Sequence, residues 1–428
     1  MKYVYILLSI LLFSSNGIIK AQDSISITQC YALARANYPQ IHQHRLIDQA
    51  EQYRLSNLGK NWLPHLTVQA NASYQSEVTQ LPFNGQQLSS LMPGMEIPVL
   101  NKDRYQVTAQ LDQTLWDGGN TRSTKTLTRM EAAAKREALE SELYALNDQV
   151  NQLYFGCLLQ NELLRQNRLL QKDLQTHIQR IQSMMQHGTA NQSDLESIQV
   201  ELLKTQQKEI ELQASEQAFR QMLGSFINRP ISEKTLLQIP TIPENRNTSL
   251  INRPELRSLE AQQRFWQTRN QQLTAGLMPQ FSAFIQGGYG RPALNMLSNN
   301  FDGFYVAGIR LSWSLGKLYT LKNDRKEIDT HCRNIDLQKE TFLFNTRLKL
   351  IQHDLEIQKM TEVIQTDEKI IQLRSNIKKA AEVKLENGVI TVTDLIREIN
   401  AEDLSRQTAA THRIQLLISI YSRIHTTN

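Results

Sequence analysis

The sequence predicts a mainly α-helical chain with transmembrane β-strands, built from two copies of one unit and complete only when several chains assemble. Three observations predict it: an internal duplication, paired alternating strands at matching points of the two copies, and long spans without proline.

The duplication is legible in landmarks. Leu63-Pro64-His65-Leu66-Thr67-Val68 returns 215 positions later as Met278-Pro279-Gln280-Phe281-Ser282-Ala283. Tyr38-Pro39-Gln40-Ile41 returns at the same interval as Arg253-Pro254-Glu255-Leu256, and Gly188…Asp194-Leu195 returns at 200 as Gly388…Asp394-Leu395. A fixed order of landmarks at fixed intervals is the mark of a repeat. The interval shortens between Pro64 and Leu111, so the first copy carries a longer loop, from Gln75 to Asp103. The predicted layout is a leader over 1–21, a first repeat over 22–228, a linker over 229–250 and a second repeat over 251–428. Each repeat reads helix, β-hairpin, long helix, tip turn, helix.

Each proline-led stretch opens a strand. Leu66, Val68, Ala70, Ala72 and Tyr74 alternate with Thr67, Gln69, Asn71 and Ser73. Tyr105, Val107, Ala109 and Leu111 alternate with Gln106, Thr108, Gln110 and Asp112. In the second repeat the strands run from Phe281 to Tyr289, with Phe284 on the polar side, and from Tyr305 to Leu315. Period-two alternation sends successive side chains to opposite faces of a sheet. About nine to eleven residues is the length of a tilted transmembrane strand. Tyr74, Tyr105, Trp116, Tyr289 and Trp313 stand near strand ends, where membrane barrels carry aromatic girdles. Alternation alone also fits a soluble sandwich with one wet face. The rest of the chain offers no second sheet for such a sandwich, and four strands cannot close a barrel. A barrel in lipid must be closed, so closure has to come from several chains.

The remainder reads as helix. Leu143, Leu146, Val150, Leu153 and Cys157 step by three and four, as do Leu174, Ile178, Ile181 and Met185, and Phe344, Leu348, Ile351 and Leu355. That spacing is a coiled-coil seam. No proline interrupts Gly119 to His187 or Tyr319 to Asn387, and either span reaches roughly 100 Å as one helix. Shorter helices run from Pro39 to Asn61 and from Asn191 to Ile227. Pro230, Pro240 and Pro243 make the linker an irregular belt.

Composition excludes several classes. With 40% apolar residues and a mean hydropathy of −0.44, this is no multi-helix membrane protein. Its one apolar run, Val4 to Phe13, is too short to span a bilayer. Following Lys2 and preceding Ser14-Ser15-Asn16-Gly17, it reads as a secretory leader cut after Ala21, with an N-terminal core strand as the alternative. Loss of Lys2 and Lys20 lowers the formal charge from +5 to +3. The excess forms no basic block, so nucleic acid is not an expected partner. Cys30, Cys157 and Cys332 have neither disulfide nor metal-ligand spacing and read as small apolar side chains. No nucleophile elbow, phosphate loop or zinc pattern is present, so no enzyme, cofactor or metal is expected. His42 and His44 lie about 200° apart around a helix and cannot readily share an ion.

Together these landmarks resemble the TolC-like outer-membrane factors over essentially the whole mature chain. The residues that carry the likeness are Asn37-Tyr38-Pro39 at a helix start, the proline-led first strand, Leu115-Trp116-Asp117-Gly118-Gly119 at a strand end, Leu223-Gly224 before the linker, and the Gly188 and Gly388 turns. Ser314-Leu315-Gly316-Lys317 departs from the family's repeated Asp-Gly-Gly turn and leaves that strand's exit open to question. The resemblance implies a homotrimer in the outer membrane, with a trimeric twelve-stranded barrel set in lipid and an α-helical periplasmic tunnel. It implies a passive exit duct of a tripartite efflux or type I secretion system. The partners would be a periplasmic adaptor (a membrane fusion protein) and an inner-membrane RND or ABC-type pump. A periplasmic coiled-coil adaptor or scaffold is the rival reading, which predicts one hairpin and does not explain the duplicated strands. A stand-alone porin needs many more strands in one chain.

The candidate functional residues lie in the two tip turns. His187-Gly188 and Asn387-Gly388 end helices with the glycine that a left-handed cap favours. Asn191 and Thr391 then start helices with Asp194 and Asp394 three residues on, the spacing of a capping box. Capping is one reading of both aspartates. The resemblance adds another: Asp394 matches a position that contributes a carboxylate ring to a periplasmic gate, with Asp194 in the neighbouring tip. Where the family has a second acid, this chain has Arg397, which could bridge Asp394 within or across chains or form an ordinary exposed helix pair. Gly188, Thr189, Ala190, Gly388, Val389 and Ile390 are candidates for adaptor contact, with local burial as the alternative.

Overall fold

The computed structural model describes residues 24–79, 100–242 and 251–427. The expected leader, the middle of the long first loop and the end of the linker with Pro243 lie outside the described residues. The described residues form two compact units, one within 1–43, 138–256 and 340–428, the other within 44–137 and 257–339.

The first unit is helical. Strand β1 (Ser24–Ile25) leads into α1 (Ile27–Asn37), which starts on a capping box. Gln29 donates its N–H to Ser26 Oγ at 3.3 Å, and Ser26 donates its N–H to Gln29 Oε1 at 3.0 Å. Both elements escape sequence reading, because only Ile27, Cys30 and Ala34 mark the buried side of α1. Those residues pack with Tyr154, Phe155 and Cys157 of α4 (Leu146–Gln186) and Leu223 of α5 (Gln192–Phe226) in the larger apolar core. The linker is not wholly irregular. Its prolines exclude helix but not extended chain, and β4 (Leu236–Leu237) pairs in parallel with β1. Tyr154 Oη, fully buried, lies 3.0 Å from the Ile25 carbonyl and 2.6 Å from that of Gln238, tying both strands to the core.

A second core gathers Leu174, Ile181, Leu195 and Ile198 with Ala381, Leu385, Val392, Leu395 and Ile399. The last five come from α7 (Lys317–Glu386) and α8 (Val392–Thr427). The helices of both repeats therefore share one apolar centre beside the tip turns. Cys30 and Cys157 are buried as expected, and burial pushes both thiols up to about 12; Cys332 is only half-buried.

One long helix is continuous and the other is not. Helix α7 is an unbroken 70 residues, whereas the first repeat is divided into α3 (Asn120–Tyr144) and α4 at Ala145. Ala145 keeps near-helical torsions and accepts from the Asp148 N–H at 3.2 Å, so the division is a local tightening. The seams also differ. Leu143, Leu146, Val150 and Cys157 are buried, but Phe344, Leu348, Ile351 and Leu355 on α7 are 50–62% exposed.

The second unit carries α2 (Gln43–Gly59), between 3₁₀ turns Pro39–His42 and Lys60–Trp62, and α6 (Pro254–Ala275). Its four strands are β2 (His65–Tyr74), β3 (Asp103–Trp116), β5 (Gln280–Arg291) and β6 (Asp302–Ser312). They form one antiparallel sheet in the order β2-β3-β5-β6. Its register aligns the alternation across all four strands: Leu66 faces Leu111, Leu111 faces Ile285, and Ile285 faces Ala307. A bulge between Thr114 and Trp116 shifts the parity of β3, so Trp116 joins Phe281 on the apolar face with ring centroids 5.8 Å apart. On the opposite face Phe284 lies over Gly308 and under the Arg310 guanidinium, 4.6 Å from its ring centroid. Leu66, Val68, Tyr305 and Ile309 on the apolar face are 65–78% exposed.

Strand β3 leaves through Asp117, whose buried carboxylate accepts the N–H groups of Gly119 at 2.9 Å and Thr121 at 2.6 Å. The β6 exit has no such acid. Its turn closes by the Leu318 and Tyr319 N–H groups on the carbonyls of Leu315 and Gly316, which settles the geometry the sequence left open. No described helix is long and apolar enough to cross a membrane.

Candidate functional site

The tip turns are built from local hydrogen bonds. At the end of α4, Gly188 takes φ +71°, a torsion that costs glycine nothing, and Thr189 donates its N–H to the Met184 carbonyl at 2.9 Å. Asn191 and Asp194 then exchange backbone-to-side-chain bonds, both at 3.0 Å. The second tip repeats this geometry, with Gly388 at φ +70° and Val389 N–H on the Lys384 carbonyl at 2.8 Å.

Asp394 is more heavily bonded than Asp194. Its Oδ2 accepts from the Thr391 hydroxyl at 2.8 Å and the Thr391 N–H at 3.1 Å, and its Oδ1 accepts from Arg397 at 3.0 Å. The Thr391 bonds, with Arg397 adding to them, hold this solvent-facing carboxyl below the usual aspartate range. The pair is therefore an intrachain one in the single chain, with Arg397 itself 72% exposed and 3.8 Å from Glu398.

The remaining tip candidates divide. Ala190 and Ile390 pack against the second apolar core, as local burial predicts, and Thr189 spends its hydroxyl on the Met184 carbonyl. Val389 is 68% exposed and presents an apolar side chain to solvent. His42 lies in a 3₁₀ turn and His44 at the start of α2, and neither joins a metal-compatible group among the described residues.

Near the tips lies a polar network that sequence reading does not reach. Lys378 of α7 donates to Asp173 of α4 at 2.7 Å and lies 3.0 Å from Glu402 of α8, which also accepts from Arg406 at 2.7 Å. Both acids raise the Lys378 pKa despite its burial. Burial, with the Glu402 charge adding to it, raises the neighbouring Asp403 carboxyl to about 6. His177, 3% exposed, points its Nε2 between Glu382 at 3.4 Å and Asp173 at 3.7 Å, and burial lowers its pKa. Residues from α4 and α7 meet here across 205 positions of sequence, a distance over which no local spacing gives a signal.

The sequence model of the outer membrane efflux protein family matches residues 30–228, which is the first repeat from α1 to the end of α5. That part of the chain carries the sequence pattern of the outer membrane efflux protein family. No curated protein sequence matches the chain. Solved structures of outer-membrane proteins do. CusC superposes with a TM-score of 0.66 at 13% identity, over 97% of this chain and 95% of its own. VceC from Vibrio cholerae gives 0.66 at 12%, over 94% and 95%. The MtrE outer-membrane channel of Neisseria gonorrhoeae, in its open state, gives 0.62 at 14%, over 94% and 88%. At such identities the likeness is one of fold, and it extends over both repeats. The chain thus has the fold of these channels.

Proposed function

We propose that this chain is an outer-membrane efflux protein, the passive exit duct of a tripartite efflux or type I secretion system, working as a homotrimer. The observation that carries the reading is the four-stranded sheet. It leaves β2 and β6 as open edges and exposes a continuous apolar face. In lipid an open edge strands a row of unpaired backbone groups, so the sheet must close on further copies, and three copies supply twelve strands. The exposed α7 seam asks for the same neighbours.

In such a trimer the tips of the two hairpins carry the gate. Three Asp394 carboxylates converge on the axis, with Asp194 in the adjoining tip. Each Arg397 offsets the charge and holds the closed arrangement, and like charges brought together otherwise repel. Val389 and Thr189, with Gly188, Ala190, Gly388 and Ile390 shaping the turns, offer the surface for a periplasmic adaptor. Energy and substrate choice come from an RND or ABC-type pump in the inner membrane. The test is extraction of the mature protein from outer membranes and mass measurement in detergent. A trimer supports the duct, and a soluble monomer removes it.

A further inference from the structure

We infer that Asp173, His177 and Glu382 form a binding site for one divalent transition-metal ion per chain, joining the first repeat to the second. Nε2 of His177, Oδ1 of Asp173 and Oε1 of Glu382 all lie within 4.8 Å of one another, with the imidazole edges at 3.4 and 3.7 Å. Ligand atoms around tetrahedral zinc, with bonds of roughly 2.0–2.2 Å, stand about 3.3–3.6 Å apart. Two edges of the triangle already have nearly that length, and the third is no longer than 4.8 Å.

The imidazole points to a ligand independently of the acids. It is buried, and both distances from Nε2 exceed those of an ordinary N–H···O bond, so the ring edge that faces the acids is not satisfied by either. One imidazole N–H can satisfy only one of two carboxylates, whereas a cation between them serves all three groups at once. Nitrogen with two carboxylate oxygens suits zinc and its first-row neighbours rather than calcium. Lys378 holds the other oxygen of Asp173 at 2.7 Å and Glu402 at 3.0 Å, so it orients the ligand as outer-shell partners do. Its charge, with Arg180 paired to Glu386 at 2.9 Å, opposes a cation and tempers the affinity. A groove of about 280 Å³, lined by Asp173, Lys378, Glu402, Asp403 and Arg406, opens beside one of the three ligands.

The experiment is calorimetric titration of the chelator-stripped full protein in detergent with zinc, paired with cobalt followed by its visible absorption. One ion per chain is expected, weakened about tenfold or more by His177→Gln and by Glu382→Gln, with His42→Gln unchanged. Glu382 is 23% exposed, so its glutamine variant decides the matter if His177→Gln does not fold. No binding in the micromolar range, or binding that both variants keep, overturns the site.

Discussion

Asp117 turns β3 into α3 by accepting the Gly119 N–H just before the helix and the Thr121 N–H that its first turn leaves unpaired. Asp117→Ala should therefore cost about 1–2 kcal/mol, read as a lower melting temperature in detergent, while Ser314→Ala at the uncapped β6 exit should change little. At Asp403 burial raises the carboxyl to about 6 from an ordinary 3.8. A carboxyl raised on folding contributes its full stability below the ordinary value and loses it as pH rises through the folded one. Stability should fall between about pH 4 and 6 at this site, and Asp403→Asn should melt higher than the parent at pH 7.5; an equal or lower melting point counts against it. At the gate, Arg397→Ala leaves Asp394 without its ion partner and should raise single-channel conductance in planar bilayers. Adding Asp394→Asn should bring it back toward the parent, and unchanged conductance in the single variant removes the gate role. Asp194 and Asp394 were legible because capping acts over three residues. His177 and Glu382 were not, because their meeting depends on how two repeats pack.

Elements were legible where a period repeats and hidden where it does not. All four strands stand within a few residues of their alternating runs, and the bulge in β3 has a trace in the consecutive apolar pair Leu115-Trp116. Helix α1 offered only three inward residues, two of them small, and Ala145 divides a helix although alanine is the best helix former. The spacing on α7 marks an apolar stripe but cannot tell which neighbour covers it. Phe344, Leu348, Ile351 and Leu355 remain exposed in the single chain, so the covering surface belongs to another molecule in the proposed trimer. Each such side chain is worth about 1.5–3 kcal/mol once buried. A charge placed in that stripe forfeits this and adds the cost of burying an ion. Leu348→Glu should therefore yield chains that fold, by far-UV circular dichroism, yet run as monomers in detergent; an intact trimer would mean that the seam faces solvent.

At the scale of the whole molecule, duplication explains why a chain of this length holds only half-finished structures. Each repeat contributes one β-hairpin and one helical hairpin, and the pairing of β3 with β5 joins the two hairpins of strands into one sheet. The join leaves β2 and β6 without outer neighbours, and both expose apolar side chains along their length. Long, flat, apolar edges are aggregation hazards in water, and natural proteins cover them or close them. Closure on identical copies predicts that β2 of one protomer pairs with β6 of the next, antiparallel as every other pair in the sheet. With Cys332 replaced by serine, Thr67→Cys on β2 can be combined with single cysteines scanned along β6. Oxidation should then link chains into dimers and trimers on a denaturing gel. Efficient positions should recur every second residue, because alternate side chains share a face. Links confined within one chain, or equal yields at every position, would mean that the edges never meet and that the barrel must be abandoned.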